Sequence, residues 1–408
     1  MGHVQDRWWK EVKDPETKQV TRVKTDLYGK GLRYKVRYFD PQGNEKSKSF
    51  PDRQKKAAEN FLLEVESDKL EGKYVDPKAG EVKFEVYVES WFGGQSQDAA
   101  TQENLRYQVN KRLVPFFGKS SLKAIDIPMV RSWISGMTED ELSLTYQQPL
   151  FDRLSSILNA AVEERKLHAN VCKARSVQRP SPPERRVKPW PEKRLHSVRL
   201  ALPTRYKPAA VLGAGAGMRQ GEIFGFSPDD IDREARELHI VRQVRIVKNT
   251  LVFALPKSKK ERSVPAGDGV LDELDDYMEE FPPIAVTLPW EKPGGRPVTV
   301  RLLMTTPDKN ACRRQKFNMG VWRPAFARAG LTYVTQDDGM HALRHLYASV
   351  QLENGVSIKA LSVNLGHSDP GFTLRVYTHL MPSSGDKSRK AANALFKPKR
   401  RADGLETA

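Results

Sequence analysis

Apolar positions in the first 77 residues follow two different periods. Across GLRYKVRYFD (31–40) and EKSKSF (45–50) they alternate with polar ones, and the intervening PQGN holds the residues of a tight turn, so the stretch predicts a β-hairpin. Across RQKKAAENFLLEVESDKLEGK (53–73) the spacing changes to three and four, which places Phe61, Leu62 and Val65 on one stripe of a helix ending near Gly72. A small domain of hairpin plus helix is therefore expected over 1–77.

The helical spacing persists from FEVYVESWFGG (84–94) to FDRLSSILNAAVEERKL (151–167), predicting an all-α bundle over 80–172. Trp91, Phe92, Phe116 and Phe117 read as its core. The next stretch, 173–190, is rich in proline and arginine, can neither continue a helix nor enter a core, and reads as an extended basic linker. From residue 191 the pattern is mixed. A helix containing PAAVLGAGAG precedes the strand-like runs ELHIVRQVRIV, TLVFALP and RSVP, and several helices complete an α+β domain over 191–398. A polar tail, 399–408, closes the chain.

Composition adds a partner to this multidomain outline. The 68 Lys plus Arg against 51 Asp plus Glu give a formal charge of +17, which favours a polyanion such as nucleic acid. Cys172 and Cys312 are the only cysteines and have no CxxC spacing, as expected of a chain in a reducing cytoplasm without a disulfide framework. No apolar run approaches the roughly 20 residues that span a bilayer, and the start MGHVQDRWWK lacks the apolar stretch of a signal peptide. The expectation is a soluble protein with no membrane partner.

Three motifs carry candidate chemistry: GAGMRQGEIFGF with Arg219 and Glu222, PKSKKERSVP with Lys257, and HALRH (341–345) followed by LGHSDPGFTLRVYTHL. Paired arginines keep their charge and clamp phosphate oxygens through planar contacts, so a phosphodiester is their natural target. His341, Arg344 and His345 share one helical face, opposite Leu343, Leu346, Tyr347 and Val350. Tyr377 falls in a short helix that Asp369 caps and Pro370 starts. A phenol with a pKa near 10 is a poor nucleophile unless neighbouring cations stabilise its anion.

These motifs, in this order, resemble the boxes of the tyrosine recombinases, or phage integrases, in a form similar to those of actinobacterial phages and integrative elements. The resemblance implies that Arg219 and Arg344 hold the scissile phosphate, with Glu222 supporting the first. It makes Lys257 the general acid, has His341 assist proton transfer or position the phosphate, has His367 donate a hydrogen bond to a non-bridging oxygen, and makes Tyr377 the nucleophile. It implies an arm-type DNA-binding domain in 1–77, a core-binding domain in 80–172 and a catalytic domain in 191–398, the last two forming a clamp on duplex DNA. No cofactor and no metal are implied. The implied partners are double-stranded attachment-site DNA, three further protomers in a tetramer, an excisionase and a host DNA-bending protein, at the nucleoid of a bacterial host.

Each residue also has a plainer reading. A GxxR string is common by chance, and KSKKER alone is a solvated hairpin tip. His341 and His345 at i and i+4 match a zinc helix in spacing only, because the glutamate of HExxH is missing. A helix-turn-helix reader of DNA is the serious competitor, but it has no need of paired arginines, a lysine and histidines spread over 160 residues. Type IB topoisomerases share the chemistry without pairing two sites, and a cleavage-dead regulator would keep only the fold.

Overall fold

The computed structural model describes residues 2–13, 18–96, 98–184, 186–257, 260–380 and 385–396. The expected tail, 399–408, lies outside them. The chain divides into two compact units, Met1–Pro183 and Glu184–Ala408.

The first unit opens with β1 (His3–Asp6), β2 (Trp9–Lys13), β3 (Val20–Lys24), β4 (Tyr34–Phe39), β5 (Glu45–Phe50) and α1 (Lys55–Leu70). β4 buries alternate residues, Tyr34, Val36 and Tyr38, against Ala58 and Val65 of α1 and against Tyr74. Asp40 closes the β4–β5 turn by accepting from the amides of Gln42 (3.0 Å) and Asn44 (2.8 Å). The hairpin and helix thus stand where the alternation put them. β1 adds to the sheet in the order β1-β4-β5, and β2 pairs with β3 alone; these three strands carry mostly exposed residues and left no clean alternation to read.

The bundle follows: α2 (Phe84–Gly93), α3 (Ala99–Gln108), α4 (Val114–Phe117), α5 (Ile127–Glu139) and α6 (Leu144–Glu163). Phe84, Tyr87, Trp91, Phe92, Phe117 and Trp133 meet Leu150, Leu154 and Leu158 in one core. Phe116 departs from the expectation: the helical turn that buries Phe117 points its neighbour outward, 44% exposed. Part of the proline- and arginine-rich stretch also lies on this unit. Val177 joins the core, and Arg179 makes a bidentate pair with Asp152 at 2.7 and 2.6 Å.

The second unit mixes helices and antiparallel strands. Its helices are α7 (Glu192–Ala201), α8 (Pro208–Gly215), α9 (Gln220–Phe224), α10 (Asp268–Glu280), α11 (Arg314–Phe317), α12 (Arg323–Arg328), α13 (His341–Glu353), α14 (Ile358–Leu365), α15 (Pro370–Tyr377) and α16 (Gly385–Phe396). Its strands are β6 (Ile231–Asp232), β7 (Glu237–Ile240), β8 (Gln243–Val247), β9 (Thr250–Ala254), β10 (Arg262–Pro265), β11 (Ile284–Pro289) and β12 (Pro297–Leu302).

Two features differ from the sequence pattern. The run ELHIVRQVRIV splits into β7 and β8, because Arg242 turns aside to pair with the buried carboxylate of Asp230. The β11–β12 hairpin stands where only helices were expected; its half-exposed alternation gives a weak signal. Among the described residues, no helix is long and apolar enough to cross a membrane.

Candidate active site

α13 begins at His341 and buries Leu343, Leu346 and Tyr347, as its spacing predicts. It also buries Arg344, which is only 1% exposed. A guanidinium in that position needs acceptors on all sides. It donates to Gly217 O at 2.6 Å, to Leu365 O, and to His367 Nε2 at 3.0 Å. Arginine has no acceptor to offer, so His367 Nε2 must be the bare nitrogen and Nδ1 carries the proton. Nδ1 then donates to Thr373 Oγ1 at 2.7 Å.

Three arginines converge on the end of α14. The carbonyls of Asn364, Leu365 and Gly366 accept, in turn, from Arg262 Nε (2.8 Å), Arg344 Nη2 and Arg219 Nη2 (3.4 Å). These are the last carbonyls of a helix, free of intrahelical partners and at its negative pole. Gly366 makes the stop possible by taking φ +60°, and a Cβ there would lie 2.9 Å from Arg262 Cδ. Gly217, also at φ +60°, packs under the Tyr347 ring, leaving its carbonyl for Arg344.

Glu222 ties two of these arginines together. It is fully buried on α9 and accepts from Arg262 Nη1 and Nη2 (3.0 and 2.7 Å) and from Arg219 Nη1 and backbone N (2.9 and 2.8 Å). Burial pushes the carboxyl pKa upward, but the Arg262 hydrogen bonds and charge, then Arg219, overcome it and leave it at about 2. One carboxylate therefore faces three guanidiniums. Burial, then the charge of Arg219, presses Arg344 down to about 9, which still leaves it cationic at neutral pH. Such a cluster has an electrostatic deficit that a phosphodiester anion would fill.

Tyr377 ends α15, whose first turn is built as expected, with Pro370 in place and Asp369 accepting from Gly371 N at 2.8 Å. The phenol is 1% exposed. Its hydroxyl lies 2.8 Å from His345 Nδ1. Burial raises its pKa to about 12, against the pull of Arg344 and Arg219. His341 packs edge-on against His345, with ring centroids 4.6 Å apart.

Lys257 lies on the connection from β9 to β10, strands that belong to different sheets, so the lysine stands on a crossing between sheets rather than at the tip of a two-stranded hairpin. It lines a cavity of about 780 Å³ together with Arg219 and His341. Ser258 and Lys259 lie outside the described residues, and Lys260 is exposed. The structure thus gathers Arg219, Glu222, Arg344 and His367 around the end of α14, brings Tyr377 to His345, and sets Lys257 and His341 along one cavity wall. His379 contacts Val187 O at 2.7 Å.

Two members escaped the sequence reading. Arg262 sits on the inward face of β10, in step with buried Val264, and a charge at an inward strand position is the sign of a buried partner. His345 was placed on the right helical face, but nothing in the sequence pairs it with a tyrosine 32 residues away.

Comparison with known proteins follows the same lines. The family described as "Phage integrase family" matches residues 193–383. The "Tyrosine recombinase XerC-like" of Caldanaerobacter subterraneus subsp. tengcongensis is 28% identical over 263 residues, 60% of this chain and 64% of that protein's length. The "Integrase" of Mycobacterium phage D29 is 23% identical over 300 residues, 73% of this chain and 75% of that protein. Among solved structures, the Tn1549 transposon integrase in complex with transposon right end DNA superposes with a TM-score of 0.64 at 16% identity, covering 76% of this chain and 98% of that one. The lambda integrase tetramer bound to a Holliday junction gives 0.56 at 15% identity, covering 86% and 93%. At these identities the structural likeness is one of fold.

Proposed function

Through residues 193–383 the chain belongs to the phage integrase family, and on that premise we propose that it is a site-specific DNA recombinase that cuts and rejoins attachment sites through a 3′-phosphotyrosyl intermediate. The observation that carries this reading is the convergence of Arg219, Arg344 and His367, scattered through the sequence, around the end of α14, with Tyr377 within reach of the charge of Arg344 and Arg219.

Tyr377 attacks the scissile phosphorus and displaces the 5′ oxygen, and the phosphotyrosine conserves the bond energy for rejoining without a nucleotide cofactor. Arg219 and Arg344 neutralise the non-bridging oxygens as charge builds on the pentacoordinate phosphorus; each critical donor of this kind is worth about 3–4 kcal/mol. His367 and His341 assist at the phosphate, and Lys257 protonates the leaving oxygen. Glu222 holds Arg219 in place.

Residues 1–77 engage arm-type sites, 80–172 grip the core site, 173–190 link, and 191–398 catalyse. The active assembly is a tetramer on two paired sites, directed by an excisionase and a host bending protein in the cytoplasm of a bacterial host. The first unit's strands and helix and its separate bundle core support this division.

Supercoiled plasmid incubated with the protein in EDTA, beside Tyr377→Phe, tests the chemistry. The expected result is relaxation and protein joined covalently to a 3′ end, both abolished by Tyr377→Phe. Relaxation that survives the substitution would overturn the role of Tyr377.

A further inference from the structure

The Tyr377 hydroxyl, the reacting atom of the proposed chemistry, is 2.8 Å from His345 Nδ1, with the two rings tilted 59° at a centroid separation of 5.7 Å. One turn back on the same helix, His341 packs edge-on against the His345 ring. His341 also lines the cavity that holds Arg219 and Lys257. His345 therefore reaches the nucleophile, while His341 lines both the cavity of Tyr377 and that of the arginine and lysine.

We propose that His345 is a catalytic residue that takes the hydroxyl proton of Tyr377 as the phenolic oxygen attacks phosphorus. The inference rests on the recombinase reading above and assigns its missing base. In the step, the Tyr377 O–H bond breaks and a bond from the proton to His345 Nδ1 forms. The phenolic oxygen bonds to phosphorus, the bond from phosphorus to the 5′ oxygen breaks, and that oxygen takes a proton from the Lys257 ammonium. Rejoining reverses each transfer, so His345 returns its proton to the departing phenol.

Two properties of the pair fit this role. Burial, then the charge of Arg344, holds the imidazole at about 4, so it is neutral and has a nitrogen free to accept. The phenol, pushed up to about 12 by burial, does not ionise unaided at neutral pH. A bound phosphodiester would add negative charge beside Arg344 and raise the basicity of His345 when the substrate is in place. His345 and Tyr377 line a second cavity, of about 650 Å³, whose other charged or titratable groups are His341, His367, Arg375, His379, Arg186 and Glu184.

The test follows single-turnover adduct formation on junction DNA mapped with the plasmid assay, using the full chain. His345→Leu is expected to slow cleavage on the order of 100-fold or more while DNA affinity stays unchanged. His345→Asn, whose amide can accept a hydrogen bond near the position of Nδ1 but cannot take the proton, should be nearly as slow as His345→Leu. A fluorinated tyrosine of lower pKa at position 377 should restore much of the lost rate to His345→Leu. A 5′-phosphorothiolate substrate, whose thiolate leaves without an acid, should rescue Lys257→Ala but not His345→Leu.

Undiminished cleavage by His345→Leu would overturn the inference alone. So would rescue by the thiolate with none from the fluorinated tyrosine. An unmodified protein that forms no adduct on any junction DNA would overturn the recombinase reading, and this inference with it.

Discussion

At Glu222 a single carboxylate with no exposure accepts four hydrogen bonds, two from Arg262 and two from Arg219. Removing one partner of a buried pair strands the other without compensation, a loss of about 3–5 kcal/mol. Arg262→Met is therefore expected to destabilise the protein by that order in urea denaturation. The double variant Arg262→Met with Glu222→Gln should lose less than the sum of the single changes. The carboxyl also sets a pH signature. Its folded pKa of about 2 lies below the ordinary 4.5, so its stabilisation is fully present above 4.5 and is lost as pH falls through about 2. Urea midpoints measured from pH 6 down to pH 2 should decline more steeply in the native protein than in Glu222→Gln; parallel curves would mean the carboxylate is not held as described.

At the scale of elements, the end of α14 is the joint on which the site hangs, since it supplies one carbonyl to each of three arginines. Gly366→Ala forces a side chain into left-handed backbone, which costs about 1–2 kcal/mol, and pushes Cβ to 2.9 Å from Arg262 Cδ. A fall in Tm of roughly 2–8 °C is expected, with slower adduct formation because Arg262 and the carbonyl of residue 366 both shift. An unchanged Tm and rate would show that the arginines find their places without this helix end.

Much of this was legible beforehand. The alternation of β4, the stripe of α1 and the Asp369–Pro370 start of α15 are local patterns, and the structure has them where the spacing put them. The convergence on α14 was not legible, because it joins β10, α9 and α13 through backbone carbonyls that no side-chain pattern reports. The contact of His345 with Tyr377 has the same cause, a tertiary pairing of two side chains whose helices carry no mutual signature.

Charge acts on the scale of the whole molecule, and it is unevenly shared. Of the formal +17, residues 184–408 carry +12 and residues 1–183 carry +5. A surplus of that size gathers duplex DNA by releasing its counterions, with no regard for sequence. The buried arginines do something narrower, since Arg344 is closed off from solvent and can meet only a phosphate that enters the site.

The two contributions separate under salt. On a random duplex, log K against log[salt] should have a slope of about −0.9 for each phosphate neutralised, reaching about −5 or steeper if six or more are engaged. Arg344→Ala removes at most one such contact and should flatten the slope by about 1, while abolishing cleavage. Charge reversal of several exposed lysines should instead flatten it by several units and leave the cleavage rate of bound DNA nearly intact. Fluorescence anisotropy at a series of salt concentrations, paired with adduct formation at saturating protein, reads both. If Arg344→Ala lowered affinity as far as the surface reversals do, the buried cluster would be the main anchor for DNA, and the surface field would matter only for its approach.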